Sequence, residues 1–226
     1  MTSLIVDQCY YTQLALRSLL QVNTLRKSDI VSLATINELH STSTSHSADL
    51  VFINEDCFAY DVATGETLRA FISAHPDTLF FILISKENLN YQNYIPIRNN
   101  IIILSKSIRT QCIGRLIEHY LRVEDATTYG ETLDLTPVCL SRTEADILHM
   151  WMSGHDTLHI SQRLNIKQKT VSSHKGNIKR KVKTQNKQAI YHVMKLTNVL
   201  TSGVFVGRVR PFRQTPPSFT LALMPV

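Results

Sequence analysis

The chain has 226 residues, 43% hydrophobic and 19% charged, which is enough for one large or two small folded domains and excludes wholesale disorder. Its longest apolar runs, such as Leu79 to Ile84, fall far short of the roughly 20 residues that a membrane-spanning helix needs, so we expect no membrane partner. The net charge of +6 hides an asymmetry, because residues 1–156 carry a balance of −7 and residues 157–226, which contain no acidic residue, carry +13.

The cysteines and the start of the chain bear on its compartment. Four widely spaced cysteines match no zinc or redox motif: Cys9, Cys57, Cys112 and Cys139. No basic-then-apolar leader opens the chain, so secretion is not indicated. We therefore expect a cytoplasmic protein whose cysteines are reduced thiols in the core, and we expect no cofactor and no metal.

The first 121 residues alternate short apolar runs with amphipathic stretches. The runs predict five buried strands, at 4–6, 30–33, 50–53, 79–84 and 101–104. The stretches between them predict helices at 11–21, 36–40, 62–74 and 110–121, with a weaker helix candidate at 88–94. Buried strands that alternate with helices form a parallel, doubly wound sheet. We therefore predict an α/β domain over 1–121, with any switch site beyond the carboxyl ends of its strands.

Residues 122–139 are polar, lack a sustained period and are interpreted as a linker. An all-α domain is predicted over 140–200. Ser141 and Glu144 have the spacing of a capping box that opens its first helix, and Gly154 ends that helix. Three more helices are predicted, at 157–164, 168–182 and 187–197, with Asn165 in the left-handed conformation between the first two of these. Four short helices with a three-residue turn predict a helix-turn-helix unit.

The basic half of the chain indicates a polyanionic partner. A solubilising basic face is the alternative, but solubilising surfaces usually mix both signs, so the absence of carboxylates favours nucleic acid.

The end of the chain, 201–226, contains three arginines and four prolines. Proline at this density disfavours regular structure, so we predict a disordered basic tail that adds at most weak nonspecific attraction to DNA.

The third helix of the predicted unit has two different faces. At about 100° per residue, Val171, Ile178, Val182 and, more loosely, His174 form the side that packs inward. The opposite arc collects residues suited to phosphates or base edges: Lys169, Ser172, Ser173, Gly176, Lys179, Arg180 and Lys183. The major groove of B-DNA admits one such helix. Gly176 costs about 1 kcal/mol in helix propensity but permits a close approach of the backbone.

Several residues of this helix have two interpretations. Lys167, just before the helix, opposes the helix dipole by about 0.3–1 kcal/mol, which a DNA phosphate would offset; a solvated, screened lysine is the alternative. His174 is interpreted as a packed, hydrogen-bonded residue rather than a metal ligand, because no second His or Cys has ligand spacing. Ser172 and Ser173 discriminate poorly between bases, so we expect affinity to come mainly from phosphates and specificity to be supplemented by a partner or by DNA shape.

Three segments, Leu140–Glu144, Ile160–Ile166 and Lys169–His174, resemble the signature of LuxR-type helix-turn-helix transcription factors. The match covers about 140–197. A closer resemblance, to one branch of that family, extends over about 1–207. It depends on the run 169–181, the segment 52–58 and the receiver-like first half. This resemblance implies a cytoplasmic bacterial activator of capsular or exopolysaccharide synthesis genes. It also implies a heterodimer with a response regulator on an asymmetric box in double-stranded DNA, and a cellular protease that keeps the protein scarce.

The resemblance also implies which residues read DNA. It places six of them in or beside the DNA-reading segment: Lys169, Thr170, Ser172, Ser173, Lys175 and Gly176. With the helix wheel, the predicted contact set also includes Lys167, Lys179, Arg180 and Lys183. Two residues depart from the family pattern, since Asn165 replaces the usual glycine of the turn and Lys167 replaces a common N-capping serine. The start of this helix must therefore be stabilised in another way.

Five positions decide whether the first domain is a phosphorylation switch. A receiver domain needs acids after its first and third strands to hold Mg²⁺ and accept the phosphoryl group, and a Ser/Thr and a Lys to bind the phosphoryl oxygens. The corresponding residues are Asp7, Gln8, Asn54, Ser85 and Lys106. Asn54 cannot form an acyl phosphate, and Gln8 removes an anionic ligand for Mg²⁺. We therefore predict a pseudo-receiver that serves as a dimerisation surface and in which Lys106 pairs with Asp7.

Neighbouring residues and other functional classes do not displace this interpretation. Glu55 should leave the third strand on its other face, and Asp56 lies in the following loop, so neither replaces the phosphate acceptor.

A phosphorylation-controlled response regulator that binds DNA as a homodimer is the main alternative. A small-molecule-sensing LuxR-type activator would not alternate five strands with helices. An enzyme is least favoured, because the adjacent Ser173 and His174 point about 100° apart and cannot act as nucleophile and base.

Overall fold

The computed structural model describes residues 2–23, 29–39, 48–84, 94–121, 133–201, 203 and 205–206. Several sequence predictions fall outside this part of the chain: Ser85, residues 88–93 of the weak helix, most of the linker, and the tail beyond Val206. Among the described residues, no helix is both long and apolar enough to traverse a bilayer.

The first domain is built on one sheet of six strands. These are β1 Thr2–Val6, β2 Asp29–Leu33, β3 Leu50–Asn54, β4 Leu79–Ile84, β5 Tyr94–Arg98 and β6 Ile101–Ser105. Their order is β2-β1-β3-β4-β6-β5, and every neighbouring pair is parallel except β5 and β6. The predicted doubly wound parallel sheet is therefore confirmed, with an antiparallel edge strand added to the five predicted strands.

A proline inside the added strand, β5, explains why the sequence pattern did not predict it. Tyr94 was predicted to end a weak helix, which is wrong, because Tyr94 begins β5. Pro96 lies inside β5 and cannot donate a ladder hydrogen bond, so proline here fits only an edge position. Ile95 and Ile97 are nevertheless buried, which ties the edge strand to the core.

Helices cover both faces of the sheet. They are α1 Tyr10–Asn23, α2 Val62–Ala74 and α3 Thr110–Leu121, close to three of the predicted helices, and residues 37–39 are also helical. Because side chains alternate along a strand, Phe52 and Phe81 pack with α1 and α3, while Val51 and Phe80 pack on the α2 side. Parallel strands buried on both faces in this way read as continuous apolar runs in the sequence.

The second domain contains four helices, as predicted. They are α4 Arg142–Met152, α5 Thr157–Leu164, α6 Gln168–Lys181 and α7 Lys187–Leu200. The capping box of Ser141 and Glu144 is present with both of its hydrogen bonds. Asn165 has φ 51° and ψ 46°, so the predicted left-handed turn is confirmed. Gly154 follows α4 with φ 92°, a conformation that glycine adopts readily.

The two domains share one apolar cluster, in which α7 packs against α2. The approach is close at Gly65 of α2, where a Cβ atom would lie 2.8 Å from Cγ1 of Val199. The Arg69 guanidinium donates to the carbonyls of Val199 at 2.8 Å and Asn198 at 3.1 Å, which satisfies backbone acceptors at the end of α7. The contact between the domains therefore combines apolar packing with directional hydrogen bonds.

The residues that follow α7, at 203–206, contact the segment that connects the domains and strand β5. Strand β7, Cys139–Leu140, pairs in parallel with β8, Phe205–Val206. The amide of Val138 donates to the carbonyl of Pro96 at 2.9 Å, and Arg98 donates to the carbonyl of Gly203 at 2.9 Å. Phe205 and Val206 belong to the stretch for which no regular structure was expected; pairing with the connecting segment orders them.

All four cysteines are free thiols. The expectation of core thiols is wrong for Cys9, which is exposed between β1 and α1, whereas the other three are half-buried. Hydrogen bonds from Thr12 lower the pKa of the Cys9 thiol from its usual value. Burial, with the charge of Asp7, raises the pKa of Cys57 to about 11, so that thiol stays protonated at neutral pH.

Candidate nucleic-acid interface

Helix α6 presents one apolar and one polar face. Val171, Ile178 and Val182 are completely buried, which confirms the predicted inward stripe. Seven predicted contact residues are exposed on the helix or at its start: Lys167, Lys169, Thr170, Ser172, Ser173, Gly176 and Arg180. Gly176 has open space around it, since no atom would lie within 4 Å of an added Cβ. No described part of the chain therefore covers Gly176 where this face would meet a groove surface.

The start of α6 has the backbone but not the side chain of a cap. Lys167 occupies the N-cap position with φ −67° and ψ 145°, and no side-chain hydrogen bond caps the helix. Its carbonyl accepts the amides of Thr170 at 2.9 Å and Val171 at 3.1 Å. Packing of α6 against α4 and α5 must stabilise this end instead of a serine hydroxyl.

An ion pair fixes α6 to α4. Lys181 Nζ lies 2.6 Å from Glu144 Oε2, and the Glu144 side chain is only 5% exposed. Burial acts to raise the pKa of Glu144, but hydrogen bonds from Lys181 and Ser141 outweigh burial and lower the pKa. One carboxylate thus caps α4 and anchors α6. The spacing of Glu144 from Ser141 indicates the capping role, whereas no local pattern indicates its pairing with Lys181, which lies 37 residues further along the chain.

Four of the predicted contact residues already have partners within the chain: Ser173, Lys175, Arg180 and Lys183. Lys183, with φ 54° just after α6, places its Nζ 3.0 Å from Asp134 Oδ2 and 5.1 Å from the centre of the Tyr94 ring. Its hydrogen bond lowers the pKa of Asp134. Arg180 donates to the side-chain oxygen of Asn177. Ser173 donates its hydroxyl hydrogen to the carbonyl of Lys169 at 3.0 Å, leaving the hydroxyl lone pairs for an incoming donor.

The lysine in the middle of α6 points towards α5. Lys175 Nζ donates to Thr157 Oγ1 at 3.0 Å and lies 5.3 Å from the centre of the Trp151 ring. Lys187, the first residue of α7, places its Nζ 5.8 Å from the same ring centre. Burial and the charge of Lys187 lower the pKa of Lys175, while Asp156 acts in the opposite direction.

His174 is half-buried beside the apolar stripe. Its Nδ1 atom is buried and has no hydrogen-bond partner among the described residues. Across the ranges that the structure describes, no three His, Cys, Asp or Glu side chains converge as metal ligands. The burial of His174 fits the packed residue that the helix wheel predicts, whereas the expected hydrogen bond is not present at Nδ1 among the described residues.

Asn54 stands at the end of β3, where the resemblance to receiver domains implies the phosphate acceptor. Asn54 is buried at the end of β3, and its side-chain oxygen accepts the amide of Asp56 at 3.3 Å, capping a short 3₁₀ helix, Glu55–Cys57. Asp7 is buried and lies 3.4 Å from Lys106 Nζ, so the predicted pairing of these residues is confirmed. Gln8 is exposed.

Glu55 lies in the 3₁₀ helix that follows β3, so strand alternation does not set its direction, and it has an unexpected partner. Its carboxylate is completely buried and forms a hydrogen bond with Nε2 of His192 on α7. The two residues are 137 positions apart, so no local pattern could indicate the contact. The residue that follows the acceptor position therefore connects the first domain directly to the second.

Sequence comparisons identify the class of protein that this geometry defines. Residues 138–194 match the family described as "Bacterial regulatory proteins, luxR family", so the chain is a LuxR-type DNA-binding transcriptional regulator and not an enzyme. Residues 2–129 match "Transcriptional regulator RcsA, N-terminal dimerisation domain". The protein called "Transcriptional regulatory protein RcsA" is 44% identical in Pantoea stewartii and 43% in Erwinia amylovora, each over 92% of this chain and 99% of the relative. The chain belongs to the RcsA family of transcriptional regulators.

Solved structures share the fold at low sequence identity. The chain is similar to RcsB in "Structure of two RcsB dimers bound to two parallel DNAs", with a TM-score of 0.54 and 17% identity over 85% of this chain and 96% of that one. A second RcsB–DNA complex gives a TM-score of 0.52 at the same identity and coverage. These similarities establish the arrangement of a receiver-like domain followed by a LuxR-type helix-turn-helix domain.

Proposed function

We propose that the chain is a cytoplasmic co-regulator of capsular or exopolysaccharide synthesis genes that binds DNA as a heterodimer with an RcsB-like response regulator. It acts on an asymmetric promoter box without phosphorylation of its own receiver-like domain. The functional division follows the sequence boundaries, with a pseudo-receiver at 1–121, a linker at 122–139, a DNA-binding domain at 140–200 and a tail at 201–226. The observation that carries the proposal is the exposed polar face of α6, next to a receiver-like domain with asparagine at its acceptor position.

The DNA contacts follow from the exposure and chemistry of α6. Lysine and arginine supply phosphate contacts, and Ser172, Ser173 and Thr170 face the base edges near the helix start. The proposed contact set has ten members: Lys167, Lys169, Thr170, Ser172, Ser173, Lys175, Gly176, Lys179, Arg180 and Lys183. Lys183 joins it only after its ammonium group leaves Asp134.

The chemistry of the acceptor region supports independence from phosphorylation. The Asn54 amide carries no negative charge for Mg²⁺ or phosphoryl transfer, and its oxygen is used as a helix cap. The Lys106 ammonium pairs with Asp7, an arrangement that needs no phosphoryl group. A fixed receiver-like domain of this kind suits a chain whose regulated partner carries the phosphorylation signal.

Two similarities to known proteins support an RcsB-like response regulator as the heterodimer partner. The matched N-terminal family is described as a dimerisation domain, and the RcsB chains of similar fold bind DNA as dimers. A mixed dimer with one RcsB-like chain would present two different reading helices, which fits an asymmetric box. Control of the protein's amount by a cytoplasmic protease would then replace control by phosphorylation.

A mobility-shift titration tests the proposal. A duplex containing the promoter box is titrated with the full chain, with the RcsB-like regulator, and with both proteins together. We expect a ternary complex at concentrations where neither protein alone shifts the duplex, and no gain in mass on any aspartate of this chain after incubation with acetyl phosphate and Mg²⁺. A shift that requires acetyl phosphate and this chain alone would instead establish a phosphorylation-controlled homodimer.

A further inference from the structure

Two lysines from different helices converge on one indole ring in the second domain. Lys175 of α6 and Lys187 of α7 place their Nζ atoms 5.3 and 5.8 Å from the centre of the Trp151 ring. The Thr157 hydroxyl at the start of α5 lies 3.0 Å from Lys175 Nζ. Trp151, Thr157, Lys175 and Lys187 are called the lysine–indole cluster below. Trp151 is buried, whereas Lys187 is exposed, so the cluster opens to solvent.

The cluster is short of negative charge. Elsewhere in the second domain, Lys181 and Lys183 each pair with a carboxylate. Within the described ranges, neither Lys175 nor Lys187 has a carboxylate oxygen within 4 Å of its Nζ. Asp156 is close enough to influence Lys175, but its Oδ1 accepts the amide of His159 at 2.7 Å as the N-cap of α5.

The arrangement is electrostatically unfavourable until an anion binds. Burial and the charge of Lys187 both act against the charged form of Lys175 and lower its pKa. Lys187 opens α7, where a cation opposes the helix dipole. The face of Trp151 attracts a cation, but this attraction does not remove the repulsion between two ammonium groups brought to the same ring. An anion between them would relieve both effects.

We infer that the lysine–indole cluster binds one backbone phosphate of duplex DNA at the edge of the groove that α6 enters, an inference that rests on the proposed function. Lys175 lies on α6 itself, the reading helix. Thr157 begins α5, and in helix-turn-helix proteins the helix before the reading helix crosses the DNA backbone. The two ammonium groups supply donors to the phosphate oxygens. The Thr157 hydroxyl, which accepts from Lys175, keeps its own hydrogen to donate to the same phosphate.

The test compares two lysines of one helix. Lys187→Ala removes an ammonium group from the cluster, while Lys195→Ala removes an exposed lysine of α7 that also lies over an aromatic ring, that of Tyr60, at 5.9 Å. The full chain is titrated with the RcsB-like regulator onto promoter duplex at several salt concentrations. We expect Lys187→Ala to reduce the slope of log affinity against log salt by about 0.9, the value for one lost phosphate contact. Lys195→Ala should leave the slope unchanged.

Two further measurements make the outcome decisive. Thr157→Val should weaken binding about three- to tenfold without changing the slope, because it removes a neutral donor. Urea unfolding of each variant verifies that the second domain is folded. Equal slopes for the Lys187 and Lys195 variants would overturn the cluster as a phosphate site even if Lys169→Ala still weakens binding and the proposed function stands. Failure of the unaltered proteins to bind the duplex together would overturn the proposed function itself.

Discussion

The carboxylate of Glu55 and the imidazole of His192 form a buried hydrogen bond that joins the receiver-like domain to the last helix of the DNA-binding domain. Glu55 directly follows Asn54, the last residue of β3 and the N-cap of the 3₁₀ helix. The carboxylate beside Asn54 is therefore bonded to a residue of the DNA-binding domain that lies 137 positions further along the chain.

The first prediction concerns this bond. His192→Leu should lower the free energy of unfolding by about 1–3 kcal/mol, because it deprives a fully buried carboxylate of its imidazole partner. Adding Glu55→Gln to that variant should restore part of the loss, since a neutral amide is less costly to bury than a carboxylate. Urea unfolding of the full chain measures both. Equal stability of His192→Leu and the unaltered chain would show that the bond contributes nothing.

The second prediction concerns the close approach of α2 and α7. Gly65→Ala should favour α2 by about 1 kcal/mol in helix propensity but force a methyl group to within 2.8 Å of Val199 Cγ1. Such overpacking typically costs about 1–3 kcal/mol, so the single variant should be less stable or have separated domains. Val199→Ala makes room for the new methyl group. A double-mutant cycle in urea should therefore give a favourable coupling of about 0.5–3 kcal/mol, and strict additivity would contradict the contact.

The third prediction is a pH dependence of the DNA-binding domain. The folded-state pKa of Glu144 is lowered, so its contribution is present above the unfolded value of about 4.3 and is lost as the pH falls through the folded value. Glu144→Gln keeps the form of the capping box but loses the charge-assisted bond to Lys181. At pH 7 the variant should be less stable by about 1.5–3 kcal/mol.

The same variant provides its own control at low pH. Below about pH 4 the difference in unfolding free energy between the two proteins should shrink, because Glu144 becomes a neutral group like glutamine. Thermal unfolding followed from pH 3 to 8 measures this convergence. A stability difference that stays constant over the whole range would exclude the carboxylate charge as its source.

The fourth prediction concerns competition for Lys183. The pair with Asp134 lies partly at the surface, and such pairs contribute only about 0–1 kcal/mol, so DNA can take the ammonium group at little cost. Asp134→Asn removes the charged partner of Lys183 and leaves its hydrogen bond to the backbone carbonyl of residue 134, so it should raise DNA affinity about two- to fivefold at low salt. In the background of Lys183→Ala the same substitution should have no effect. Fluorescence anisotropy with labelled duplex distinguishes these results, and an equal gain in both backgrounds would remove Lys183 from the contact set.

Local patterns made much of the fold predictable. The capping box at Ser141 and the left-handed Asn165 depend on residues within a few positions, and the buried stripe of α6 depends on one helical period. The wheel could not indicate that Lys175 reaches Thr157 or that Lys183 reaches Asp134, because both contacts depend on how separate elements pack. Strand β5 was missed for a related reason, since Pro96 is compatible with a strand only at a sheet edge, and the edge is a property of the whole fold.

The pairing around β5 has a consequence for how the protein behaves at high concentration. An uncovered edge strand offers unpaired amides and carbonyls that can template association between sheets of separate molecules. Here the connecting segment uses the Pro96 carbonyl, and Arg98 holds the returning chain at Gly203. A protein cut short before Gly203 would lose the Arg98 contact and keep only the Val138 hydrogen bond, so more of this sheet edge would be open to association with other molecules.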